Sequence, residues 1–293
     1  MSNVTANGIQ IEYGTFGDES NPPLLLIMGL GAQMIVWDSE FCQQIADRGY
    51  HVIRFDNRDT GLSTHFHDAA LPDVAAAMLG DTSSAAYTLS DMAADAAGLL
   101  DALGVPAAHI VGASMGGMIA QTVAIEHPDR TLSLCSIMSM TGDPTVGTPE
   151  PEALELLTST PPQTVEEAAD ASVLAAKVIG GNRYPVDEER TRERAIEGWN
   201  RDHDHLGFGR QLVAIMASGD RTPRLANVSK PTVVIHGIDD PLVTLSGGEA
   251  TAKAIPGAKL VKIEGMGHDL PIPVWPQVID LIVENAERAN TPT

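Results

Sequence analysis

Short apolar runs separated by helix-length segments predict an α/β fold: a mostly parallel sheet flanked by helices, with an inserted helical cap. Three observations carry this reading. Runs such as 24–28 and 232–236 are continuously apolar, as strands covered on both faces are. The segments between strands stop at Gly49, Gly104 and Pro128, residues that end helices. From about 140 to about 228 the strand pattern vanishes and prolines gather at Pro144, Pro149, Pro151, Pro161 and Pro162.

Along the chain, Ile9, Ile11 and Tyr13 alternate within 8–16, which reads as an edge strand. Leu24, Leu25, Leu26, Ile27 and Met28 make the first buried strand, a helix is expected over 35–48, and 51–55 is the next strand. Thr88 and Asp91 have capping-box spacing and open a helix that runs to Leu103. A strand over 108–113 feeds a helix over 115–127, and 132–138 is apolar again. The stretch 140–228 is expected to form the cap, leaving 1–139 and 229–293 as the core. Strands at 232–236 and 259–263 and a helix over 274–289 complete that core.

The 293 residues are 43% hydrophobic, enough for one large domain carrying an insertion. Eighteen Lys and Arg against 39 Asp and Glu give a formal charge of −21. Such a surface repels phosphate backbones and anionic lipid heads, which argues against nucleic-acid or membrane partners. Cys42 and Cys135 lie in apolar patterns and are expected to be buried free thiols. Residues 1–5 lack the basic and apolar regions of a signal peptide, and no stretch approaches the ~18 apolar residues of a membrane span. A soluble, cytoplasmic protein is the expectation; its oligomeric state is not encoded in any pattern we read.

The most informative segment is Gly112, Ala113, Ser114, Met115 and Gly116. A serine flanked by glycines at two-residue spacing, between a strand and a helix, marks a sharp turn that lifts a hydroxyl clear of a sheet. A serine needs a base to act as a nucleophile. Of nine histidines, His268 is best placed, because the glycine-rich loop that bears it, Glu264, Gly265, Met266 and Gly267, directly follows a strand. The base needs a carboxylate to hold its tautomer. Asp240 stands three residues after Gly237 and is the choice; adjacent Asp239 is the alternate, and Asp143 a more distant one. An oxyanion would need preorganised N–H donors. The N–H of Met115 and that of Leu30, in the loop containing Gly29 and Gly31, have the right positions.

Other polar residues have structural readings. Asp56, Arg58, Gly61 and Ser63 are expected to brace the oxyanion loop. The alternation Asp202, His203, Asp204 and His205 suits no usual zinc spacing and reads as a polar face, with no metal expected. His65 and His67 likewise carry no assigned role. Met28, Met138, Met140 and Met266, with Gly29, are expected at strand ends facing the site, where methionine suits flexible apolar groups. Trp199 and Phe208 are candidates for its entrance.

Four stretches carry a family resemblance: 27–33 (Ile27 to Gln33), 54–63 (Arg54 to Ser63), 111–117 (Val111 to Gly117) and 265–271 (Gly265 to Pro271). With them the chain resembles the α/β-hydrolase superfamily from end to end, and within it the aclacinomycin methylesterase and related actinobacterial lipase/esterase group. The resemblance implies a Ser-His-Asp carboxylester hydrolase without a cofactor, with Ser114, Asp240 and His268 in that chain order. It also implies a small-molecule ester as the partner. Many relatives carry His-Gly in the oxyanion loop where this chain has Met28 and Gly29, so the backbone donor remains and any role of that histidine is lost. The expected activity is hydrolysis of small to medium apolar esters. A thioesterase, lactonase or carbon–carbon bond hydrolase would use the same three side chains, and a silent binding protein of this fold is the alternative from another class.

Overall fold

The computed structural model describes residues 2–290. Eight strands form one sheet: β1 (Ser2–Ala6), β2 (Ile9–Phe16), β3 (Pro23–Ile27), β4 (His51–Phe55), β5 (Ala108–Ala113), β6 (Thr131–Ile137), β7 (Thr232–Gly237) and β8 (Lys259–Ile263). Their order is β1-β2-β4-β3-β5-β6-β7-β8. The first two ladders are antiparallel and the other five parallel. The helices are α1 (Ser39–Ala46), α2 (Val74–Met78), α3 (Leu89–Ala102), α4 (Met115–Glu126), α5 (Pro151–Leu157), α6 (Val165–Ile179), α7 (Glu188–Arg201), α8 (His205–Ser218), α9 (Thr222–Leu225), α10 (Leu245–Ala254) and α11 (Trp275–Glu287).

The continuous apolar runs have their expected cause. Side chains of one strand alternate between two covered faces. Leu25 and Ile27 of β3 join the core beneath α3 and α4, whereas Leu24 and Leu26 join the core beneath α1 and α11. Ile53 and Val52 of β4 divide in the same way. Cys42 and Cys135 are buried free thiols, and burial pushes Cys42 up to about 12.

Two sequence expectations change. Strand β2 is not the edge, because β1 pairs outside it. The hairpin between them turns on Asn7 and Gly8, both at positive φ (47° and 79°), the backbone that Asn-Gly favours. The helix expected over 35–48 is two pieces, a single 3-10 turn at Met34–Val36 and then α1. The break falls at Asp38, whose carboxylate caps α1 by accepting from Glu40 N–H.

Five helices, α5 to α9, lie between β6 and β7. α6 and α7 pack on each other, α8 packs on α2 and α3, and α9 on α4 and α10. Among the described residues, no helix is long and apolar enough to cross a membrane.

Leu25 is fully buried at the centre of the sheet. Leu25→Ala is expected to lower unfolding stability by about 2–5 kcal/mol through lost transfer energy and the residual cavity. Urea denaturation checks this, and an unchanged midpoint would contradict the core described.

Candidate functional site

The turn from β5 into α4 is tightly packed. Ser114 sits there with φ 57° and ψ −124°, a conformation L residues avoid, at a cost of about 1–3 kcal/mol. The surroundings hold it there. Ser114 N–H donates to Ile137 O at 2.9 Å. Glycines remove the side chains that would forbid the turn. A Cβ on Gly112 would come within 2.0 Å of Gly116 O, one on Gly116 within 2.1 Å of Ile27 O, and one on Gly117 within 2.5 Å of Ser139 Cβ. α4 therefore presses directly on the sheet, with its N-terminus behind Ser114.

Three side chains from three loops meet here. His268 Nε2 lies 2.9 Å from Ser114 Oγ, and His268 Nδ1 lies 2.8 Å from Asp240 Oδ2. Asp240 is buried, and its other oxygen accepts from Leu242 N–H and Val243 N–H, both at 2.9 Å. These bonds fix the carboxyl group with Oδ2 pointing at the ring. Asp239 is not the partner; its N–H donates to Met266 O at 3.1 Å, joining the two loops. Asp143 caps its own turn through Thr145. Neighbouring His236 is fully buried and donates from Nε2 to Val243 O at 2.7 Å. Burial lowers its pKa, so it stays neutral beside Asp240.

The loop after β3 faces Ser114. A Cβ on Gly29 would stand 3.0 Å from Ser114 Cβ, so glycine keeps the approach open. Among the described residues, Leu30 N–H and Met115 N–H donate to no protein acceptor, whereas Gly31 N–H is taken by Gln211 Oε1 at 2.8 Å. Gly29 N–H and Gly116 N–H likewise have no protein acceptor among the described residues, so the unpartnered donors of this corner include the two expected from the sequence. Asn57 Nδ2 donates to Met28 O, and Met34 N–H donates to Asp56 Oδ1, fixing both ends of the loop.

The segment 56–63 is the hub of this bracing. Asp56 pairs with Arg201 at 2.7 Å, Arg58 with Asp95 at 2.6 Å and Asp59 with Arg210 at 2.8 Å. Ser63 Oγ donates to Asp56 O and accepts from Glu12 N–H. Gly61 packs on Asp56, where a Cβ would be 2.3 Å from Oδ2. Sequence reasoning found this segment but missed its partners. Gln211, Arg201 and Arg210 come from α7 and α8, more than a hundred residues away, and no local pattern marks them. Asn57, Asp59 and Asp269 were also missed, although all three lie inside stretches already singled out.

The helices between β6 and β7 also clasp the His268 loop. His268 N–H donates to Ile179 O at 2.7 Å, at the end of α6. Asp269 Oδ1 accepts from Gly267 N–H at 3.1 Å. A Cβ on Gly181 would fall 1.9 Å from Gly265 O, so the two glycine segments interlock.

Of the methionines expected at the site, Met28, Met138 and Met266 are buried in the core cluster with Trp37, Phe41 and Trp275, and Met140 is half-buried against the other cluster. Phe208 lies over the loop after β3, in contact range of Gly31, and Trp199 stacks on His203 at 4.8 Å. His109 is structural: it bonds Ser133, and burial pushes its pKa down to about 4.

Residues 22–273 match the family model described as alpha/beta hydrolase fold. The chain belongs to the α/β hydrolase fold family. It is 31% identical to rhodomycin D methylesterase DauP of Streptomyces sp. (strain C5), and 32% identical to rhodomycin D methylesterase DnrP of Streptomyces peucetius. Each match covers 98% of both chains. Among solved structures, an enol-lactonase from Burkholderia xenovorans superposes with a TM-score of 0.75 at 23% identity, covering 98% of this chain and 100% of that one. This last likeness is one of fold.

Arg210 and Asp59 are both fully buried side chains. Arg210→Ala leaves Asp59 charged and alone, and is expected to cost about 3–5 kcal/mol in urea unfolding. Burial pushes the Asp59 carboxyl up, but Arg210 and the Phe66 N–H outweigh it and hold its pKa below the ordinary value. The stability it contributes is therefore present above about pH 4, its unfolded value, and is lost as pH falls through the lower folded value. Asp59→Asn should flatten the acid limb of the Tm-against-pH curve; an unaltered limb would contradict this assignment.

Proposed function

We propose that the protein is a serine carboxylesterase that hydrolyses small to medium apolar esters through an acyl-enzyme. The observation that carries the reading is one line of hydrogen bonds: Asp240 Oδ2 to His268 Nδ1, then His268 Nε2 to a serine hydroxyl raised on a strained turn. In this line His268 Nδ1–H donates to Asp240, which leaves Nε2 unprotonated and ready to accept the Ser114 proton.

Ser114 Oγ attacks the ester carbonyl while His268 Nε2 takes its proton. The oxyanion is received by Leu30 N–H and Met115 N–H. The imidazolium, steadied by Asp240, then protonates the departing alcohol. Water repeats the sequence on the acyl-enzyme and releases the acid. No step needs a cofactor. Residues 140–228 serve as a cap over the core formed by 1–139 and 229–293, with Phe208 and Gln211 of α8 resting against the oxyanion loop. Gly29 forms the wall nearest Ser114, and Met140 is the pocket methionine that keeps accessible surface; Met28, Met138 and Met266 shape the floor beneath. The two Streptomyces relatives, each more than 30% identical, are named as methylesterases, which supports small alcohols as leaving groups.

The test is hydrolysis of p-nitrophenyl esters from acetate to decanoate, with methyl esters alongside, by the native protein and by Ser114→Ala. The variant is expected to lose about 10⁴-fold or more in kcat, as removal of the nucleophile does in comparable sites. Equal rates from both proteins, or none from either on any ester, would overturn the proposal.

A further inference from the structure

We propose that the seam between the loop after β4 and the start of α8 binds a divalent transition-metal ion through His65 Nδ1, His67 Nδ1 and Asp204 Oδ2. The site takes no part in the Ser114 chemistry. The three ligand atoms lie within 4.8 Å of one another. His65 and Asp204 are 139 residues apart in the chain, so the fold alone brings them together.

The distances suit an ion. His65 Nδ1 is 3.1 Å and His67 Nδ1 3.6 Å from Asp204 Oδ2. Tetrahedral bonds of about 2.0–2.1 Å place neighbouring ligand atoms about 3.3 Å apart, between these two values. The His65 and His67 rings are near parallel, 5.4 Å apart, so the exposed His67 ring would turn to aim its Nδ1 at the shared ion.

The fold also orients the ligands. His65 Nε2 lies 3.1 Å from Gly61 O, the carbonyl contact by which ligating histidines commonly fix their ring. Its Nδ1 thereby faces Asp204 Oδ2, and His67 Nδ1 approaches the same oxygen. A metal ion there would use all three ligand atoms.

The charges nearby leave room for a cation. Arg210 comes within 3.5 Å of Asp204 Oδ2, but both its bonds go to Asp59. Arg201 is held by Asp56. Asp202, whose Oδ2 is 3.5 Å from His65 Nε2, adds a further carboxylate with no guanidinium of its own. Two imidazoles and a carboxylate favour Zn²⁺ and its neighbours over Mg²⁺ or Ca²⁺. The His67 side chain is 68% exposed, which supplies an entry path and a place for water as the fourth ligand. Bound there, the ion would tie the 61–67 loop to the helix that carries Phe208 and Gln211.

The experiment titrates the full chain, first cleared of metal with EDTA, with Zn²⁺ against a chromophoric zinc indicator, with Mg²⁺ as the control ion. Thermal melts with and without Zn²⁺ accompany it. The expected result is one equivalent of Zn²⁺ bound, a raised Tm, and no response to Mg²⁺. His67→Ala and Asp204→Asn should each weaken Zn²⁺ binding by about tenfold or more, as loss of a ligand should exceed loss of a partner behind it. The exposed His67→Ala variant should melt like the native protein without metal, which separates lost binding from lost folding. No saturable Zn²⁺ binding, or equal affinity in His67→Ala, overturns the proposal.

Discussion

The contact between β5 and α4 governs the rest of the site. Helix α4 lies so close to the sheet that side chains at 112, 116 and 117 would collide with backbone or with Ser139. That closeness forces Ser114 into a left-handed conformation and holds its hydroxyl at the sheet's carboxyl edge, within reach of His268. Met115 N–H, in the first turn of α4, has no backbone partner, as the first N–H groups of a helix do not. One turn thus sets the position of both the Ser114 hydroxyl and the Met115 N–H. The strain is small beside the burial of β3, β5 and β6 around it, so the turn persists.

A second constraint couples the inserted helices to the core. Asp56 and Asp59 reach outward to Arg201 and Arg210, while Arg58 between them reaches inward to Asp95. Burying such pairs adds little net stability, since desolvation offsets most of the attraction. What they supply is geometry. Each charge admits one partner, so α7 and α8 have one seat on the core. Gln211 then accepts from Gly31 N–H, and the loop after β3 is held by α8. The interlocked glycines of 180–181 and 265–267 do the same for the His268 loop.

The fold was legible where chemistry is local. Apolar runs marked the strands from β3 to β8, and the capping pair Thr88 and Asp91 marked the start of α3. The glycines around Ser114, the glycine loop before His268 and the spacing from Gly237 to Asp240 were local as well, and the structure sets these three side chains in one hydrogen-bonded line. The outer strand β1 was passed over although Asn7 and Gly8 announce a hairpin, because its short, half-polar run buries little. The pairings of Arg201, Arg210, Gln211 and Asp204 were not legible, since each depends on where α7 and α8 come to rest. The methionines show the limit of composition: a strand-end position does not say whether a side chain faces a pocket or the core.

The most direct measurement is covalent trapping of Ser114 by a fluorophosphonate, read by intact mass and peptide mapping. An activated serine should take one equivalent on the peptide bearing Ser114, and His268→Ala should label far more slowly while remaining folded. Failure to label the native protein, or labelling elsewhere with Ser114 unmodified, would contradict the account of how this turn, this histidine and this aspartate work together.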